Sequence, residues 1–119
     1  MRKLLHVAFF CVFASASGSA LAAPDEHNGY TEIVAGRYNA AEQVIVKEQR
    51  MFRHDADLVL NLAFVYAQTG RAAEARDLYQ QVLDRPNETM NVPLNGSAGS
   101  HDIARLALRQ FSSLQISAR

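Results

Sequence analysis

Residues 56–86, ADLVLNLAFVYAQTGRAAEARDLYQQVLDRP, decide the fold. Val59, Leu62, Val65 and Tyr66 recur at three- and four-residue spacing, which aligns them on one face of a helix. Asp57 is placed to cap that helix, its carboxylate accepting from the open amides of the first turn. Gly70 stands where a helix ends in a left-handed residue, a conformation that costs glycine little. Beyond it Ala75, Leu78, Tyr79, Val82 and Leu83 make a second apolar face, and Ala75 is small where two helices have to approach closely. The stretch therefore predicts an antiparallel helical hairpin.

The same pattern occurs upstream in constant phase. Gly36 and Gly70 lie 34 residues apart, as do Ala41 and Ala75, and Ile45 matches Tyr79 at the same offset. A fixed period of this length is the mark of a repeat architecture. Residues 56–86 resemble the tetratricopeptide repeat, a pair of antiparallel helices 34 residues long. Leu62, Ala63 and Tyr66 stand at the family's Leu, small and Tyr positions. Gly70 takes the turn, Ala75 the small position, Tyr79 the aromatic position with Leu83 behind it, and Pro86 lies near the closing proline. The sequence departs from the family pattern at Val59, where Trp is common, and in a proline that arrives one residue early. The resemblance implies an all-α fold: a short right-handed α-solenoid of antiparallel helix pairs, with about five helices after the leader.

Working outward, residues 23–55 read as a degenerate first repeat. Its first helix is short, with Tyr30, Ile33 and Val34 as its apolar face. Its second, over 38–52, carries Ala41, Val44, Ile45, Met51 and Phe52, but has Glu48 where the family places a small apolar residue. End repeats need a face that tolerates water, so the pattern decays there. Residues 87–100 hold Pro93, Gly96 and Gly99 and read as a loop, with a short extended arm over 90–94 turning at Asn95-Gly96. A last helix over 101–115 follows, capped by Ser100 with Asp102 in its first turn. It bears Ile103, Leu106, Ala107, Gln110 and Phe111, and Leu106-Ala107 repeats the pair Leu62-Ala63, as in the first half of a third repeat.

Residues 1–22, MRKLLHVAFFCVFASASGSALA, carry a basic start, an apolar run over 4–14 and a small-residue end at Ala20-Leu21-Ala22. These are the three parts of a secretory signal cleaved after Ala22. The apolar run is short of the ~20 residues that span a bilayer, and no later stretch is long or apolar enough to do so. The domain layout is thus a signal peptide over 1–22 and one helical domain over 23–119. Cys11, the only cysteine, lies in the leader, so the exported part holds together by packing without a disulfide. The leader points to the periplasm, with secretion as the alternative.

The 12 Lys and Arg balance 12 Asp and Glu, and Arg2 and Lys3 lie in the leader. A slightly acidic mature chain argues against a nucleic-acid binder. Its histidines, His27, His54 and His101, lack the spacing that sets two imidazoles on one helical face, and no thiol remains, so neither metal nor cofactor is expected. Ser97, Ser100 and His101 are close in sequence, but a nucleophile also needs an oriented base and an anion pocket. Asn87-Glu88-Thr89 matches the short glycosylation sequon. No catalytic motif is present, and the chain is not expected to be an enzyme.

The first helix of each stacked pair lines the concave side, where tetratricopeptide domains grip an extended peptide or a partner helix. The resemblance puts Asp57, Leu60, Asn61, Phe64, Ala67 and Gln68 there. Leu60 and Phe64 either pack on the last helix or meet a ligand, and with so few repeats packing is favoured. Some family members clamp a terminal carboxylate in this groove. Asn61 and, on the last helix, Arg105 match parts of such a clamp, while the simpler reading has Asn61 bonded to backbone and Arg105 in solvent. The function expected is a non-catalytic adaptor of the cell envelope binding a protein or peptide. The alternatives are a self-associating structural subunit, in which a second copy supplies the missing neighbour, and a regulatory accessory subunit of an envelope complex.

Overall fold

A computed structural model describes residues 27–93 and 96–117, with side chains through Leu114. The leader, Cys11 and the cleavage site lie outside the described residues. Two helical hairpins follow in order: α1 (Tyr30–Val34) with α2 (Tyr38–Gln49), then α3 (Ala56–Gln68) with α4 (Ala72–Leu83). An antiparallel β-hairpin comes next, β1 (Thr89–Val92) and β2 (Gly96–Gly99), and the long helix α5 (Ser100–Ser117) packs against α4. The all-α, repeat-type architecture read from the sequence is present, with one small sheet inserted before the last helix.

The repeat is visible in backbone chemistry. Gly36 and Gly70 adopt φ 75° and 80°. Behind each, the amide three residues past the helix reaches back to close the last turn: Arg37 N–H donates to Glu32 O at 2.8 Å, and Arg71 N–H donates to Tyr66 O at 2.9 Å. This six-to-one bond satisfies a carbonyl the helix would otherwise leave open. Ala41 and Ala75 are both fully buried, and so are their partners Ile45 and Tyr79.

Two cores flank α3. Leu58, Leu62 and Val65 face Ile33, Ala41 and Ile45 of the first hairpin. Val59, Leu60 and Ala63 join Ala75, Tyr79 and Val82 of α4, Met90 and Val92 of β1, and Ile103, Ala104 and Ala107 of α5. The alternation of β1 puts Met90 and Val92 into this core and Thr89 and Asn91 into solvent. Extending Ala75 to Leu forces extra methylenes into the second core. Ala75→Leu is expected to lower stability by about 1–3 kcal/mol, read as a fall in denaturation midpoint at constant slope.

Tyr79 lies in that core, its ring 6.1 Å from Phe111. Burial pushes its phenol well above the ordinary tyrosine range. The folded state therefore keeps the proton that the unfolded chain begins to release near pH 10. This contribution is intact below pH 10 and is lost as the pH rises further, at about 1.4 kcal/mol per pH unit. Denaturation midpoints measured between pH 9 and 11 should fall, and Tyr79→Phe should flatten the fall. Tyr66, also raised, chiefly by burial and then by Glu42, leaves a smaller residual slope.

Several local expectations are corrected. The N-cap of α3 is Asp55, without a side-chain bond, and Asp57 sits inside the first turn. There its charge still faces the positive end of the helix. Helix α2 stops at Gln49, short of residue 52; past its end the Glu48 carbonyl accepts from both Met51 N–H (3.0 Å) and Phe52 N–H (2.9 Å), and a tight turn follows in which Asp55 N–H donates to Phe52 O at 3.3 Å. Met51 and Phe52 are consequently exposed, as is Val34 at the end of α1. The loop over 87–100 carries paired strands, with Val92 opposite Gly96; Leu94 and Asn95 lie outside the described residues. On α5 the fully seated residues are Ile103, Ala104 and Ala107, while Leu106 is only half-buried, so the pair Leu106-Ala107 does not repeat the burial of Leu62-Ala63.

Ser100 does not cap α5. It is the first helical residue, its N–H donates to Glu88 O (2.7 Å) and its Oγ accepts from Glu88 N–H (2.9 Å). The cap comes from across the β-hairpin, where Asn87 Oδ1 accepts from His101 N–H at 3.0 Å. A side chain at Gly99 would collide with Asn87, its Cβ falling 2.8 Å from Oδ1.

Candidate interaction surface

The positions 57, 61, 64 and 68 form one stripe along α3, with Leu60 and Ala67 beside it. The structure divides them. Leu60 is completely buried and belongs to the core that includes α5. Phe64 packs instead against the core shared with the first hairpin, so only Leu60 follows the expectation of packing with the last helix. Asn61 is completely buried, and its Nδ2 donates to the Asn28 carbonyl at 2.9 Å. Asp57, Ala67 and Gln68 remain partly exposed.

Arg105 does not join Asn61 in a clamp. It is exposed on α5 and pairs at 3.6 Å with Asp102, one turn back on the same helix. An exposed pair of this kind contributes little. The burial of Asn61 under Asn28 leaves a terminal carboxylate no route to its amide, and the backbone-bonded reading of Asn61 holds.

Asn28 and Gly29, which periodicity does not single out, tie this stripe to the N-terminal hairpin. Asn28 Oδ1 accepts from Tyr30 N–H at 3.1 Å and so starts α1, while its carbonyl takes the Asn61 amide. Gly29, at φ 76°, lies so close to α2 that an added Cβ would be 2.8 Å from Ile45. The available signal is the Asn-Gly pair ahead of a helical face, a turn dipeptide.

A second tie crosses the hairpins on the other side. Arg71, placed by the Gly70 turn, forks onto Glu42 with bonds of 3.1 and 2.6 Å and lies 4.0 Å over the Tyr66 ring. The hydrogen bond to Glu42 raises the already high pKa of Arg71, which stays a permanent cation.

The polar residues that invite a catalytic reading are engaged elsewhere. His101 Nε2–H donates to the Arg85 carbonyl at 2.6 Å, so that nitrogen carries its proton and does not serve as a base. His54 Nδ1 accepts from Arg85, whose other amino group donates to the His54 carbonyl at 3.0 Å. Among the described residues no three His, Cys, Asp or Glu side chains are grouped to hold a metal, and no helix is long and apolar enough to cross a membrane.

The two hairpins, nested in sequence order around α3 with matching glycine turns, define a helical-hairpin repeat protein. Residues 32–89 match the sequence profile described as the tetratricopeptide repeat, which supports the repeat read from the sequence. Repeats of this family generally mediate protein–protein interaction and are typically non-catalytic. No curated protein and no solved structure matches the chain significantly.

Proposed function

We propose that the protein is a non-catalytic binding module of the cell envelope, exported by its leader, that holds a partner peptide or helix along α3. The observation that carries this reading is the partial exposure of Asp57, Phe64 and Gln68 on one stripe of the central helix, in a repeat family whose members bind proteins. Leu60 and Asn61 support that surface from below. The stripe offers an acid, an aromatic edge and an amide at spacings of seven and four residues, two helical turns and one, suited to a partner that presents apolar and basic side chains at a similar pitch. Leader and stripe together favour a partner on the outer side of the inner membrane.

Site-specific photocrosslinking in cells tests the assignment. A crosslinking residue at Gln68 or Asp57 should give the same discrete adduct, and one at Gln80, exposed on α4, should give none. Equal adducts from all three positions, or none from any, would count against a binding face on α3.

A further inference from the structure

We propose that the turn after α2, residues 50–54, is a docking element for an anionic membrane surface. Met51 and Phe52 are 70 % and 49 % exposed, the one place among the described residues where two large apolar side chains stand exposed side by side. Val46, also exposed, lies one turn back on α2. The cations Lys47, Arg50 and Arg53 flank them, all exposed. The acids of the segment do not neutralise this group: Glu48 is turned inward, its side chain 12 % exposed and 3.7 Å from His27, which leaves Asp55 at the edge.

The turn is held from both sides, so its tip is presented and not loose. On one side the Glu48 carbonyl gathers the amides of Met51 and Phe52. On the other, Asp55 N–H donates to Phe52 O at 3.3 Å, and Arg85 of the second hairpin grips the backbone and ring of His54. A fixed knob with an apolar tip and a basic collar matches a headgroup layer, where an aromatic ring enters the interface and Arg or Lys meets phosphate. A second copy is a poor occupant, because pairing two such knobs would oppose their cations. A protein partner would need an acidic socket, whereas a lipid surface deforms around a projection.

The chain contains no tryptophan, so an introduced indole reports its own site even if the leader also binds lipid. In the full chain, Phe52→Trp is compared with Leu114→Trp, placed on exposed α5. Vesicles of phosphatidylcholine with phosphatidylglycerol should shift the emission of the Phe52→Trp protein to the blue and leave the Leu114→Trp protein unchanged. Added salt should weaken the effect. Adding Arg50→Gln and Arg53→Gln to the Phe52→Trp protein should reduce vesicle affinity by about 25-fold, at about fivefold per cation near an anionic surface. Circular dichroism confirms that the variants stay helical. No shift with phosphatidylglycerol, an equal shift with pure phosphatidylcholine, an equal shift from Leu114→Trp, or indifference to the arginine substitutions would each overturn the proposal.

Discussion

Leu60→Glu is expected to abolish the cooperative thermal transition. Leu60 is fully buried between α3 and the core shared by α4, β1 and α5. The substitution removes a buried aliphatic group, costing about 2–5 kcal/mol, and puts in its place a carboxylate for which that apolar core offers no partner. Small domains hold only about 5–15 kcal/mol in total, so the sum consumes most or all of the folding free energy. Circular dichroism at 222 nm should show a weak, non-cooperative melt at 25 °C and above. Gln68→Glu, on the half-exposed part of the same helix, should melt with the wild type. A native-like melt for Leu60→Glu would mean that this position opens to solvent, as the family register alone would place it.

The contrast shows which parts of the fold were legible in the sequence. The glycine turns were, because a Schellman ending is local chemistry: Gly36 and Gly70 each close a helix within six residues. Ala41 and Ala75 were, because the period of 34 aligns them and close helix approach demands a small side chain. The allocation of α3 was not. Val59, Leu60 and Ala63 serve one core and Leu58, Leu62 and Val65 the other, so the helix is apolar around most of its girth and periodicity cannot say which side a ligand would see. The cap on α5 was hidden for a different reason. Ser100 has the right chemistry in the right place, but Asn87, 14 residues before His101, accepts the His101 N–H through the β-hairpin instead. Met51 and Phe52 continue the apolar spacing of α2, yet the helix ends before them in a tight turn, and the outcome is an exposed tip.

The Asn28-Gly29 turn was also missed, and its energetic weight can be measured. Gly29→Val is expected to lower stability by about 2–5 kcal/mol, combining about 1–2 kcal/mol for a left-handed non-glycine residue with about 1–3 kcal/mol for overpacking. At φ 76° its Cβ would stand 2.8 Å from both Cγ1 and Cδ1 of Ile45 and 3.3 Å from the Ala41 carbonyl. Ile45 is fully buried and cannot swing away, and the Ala41 carbonyl is fixed within α2. Gly36→Val separates the two terms. Its φ is 75°, but a Cβ there has open space around it, so it carries only the conformational cost. The Gly29 variant should therefore melt below the Gly36 variant. Displacing the turn also withdraws the Asn28 carbonyl from Asn61 Nδ2 and the Asn28 side chain from Tyr30 N–H. Exchange of the Tyr30 amide should accelerate in Gly29→Val and not in Gly36→Val. Identical melts for the two variants would show that Gly29 is needed for its backbone angle alone and that the turn is not seated against α2.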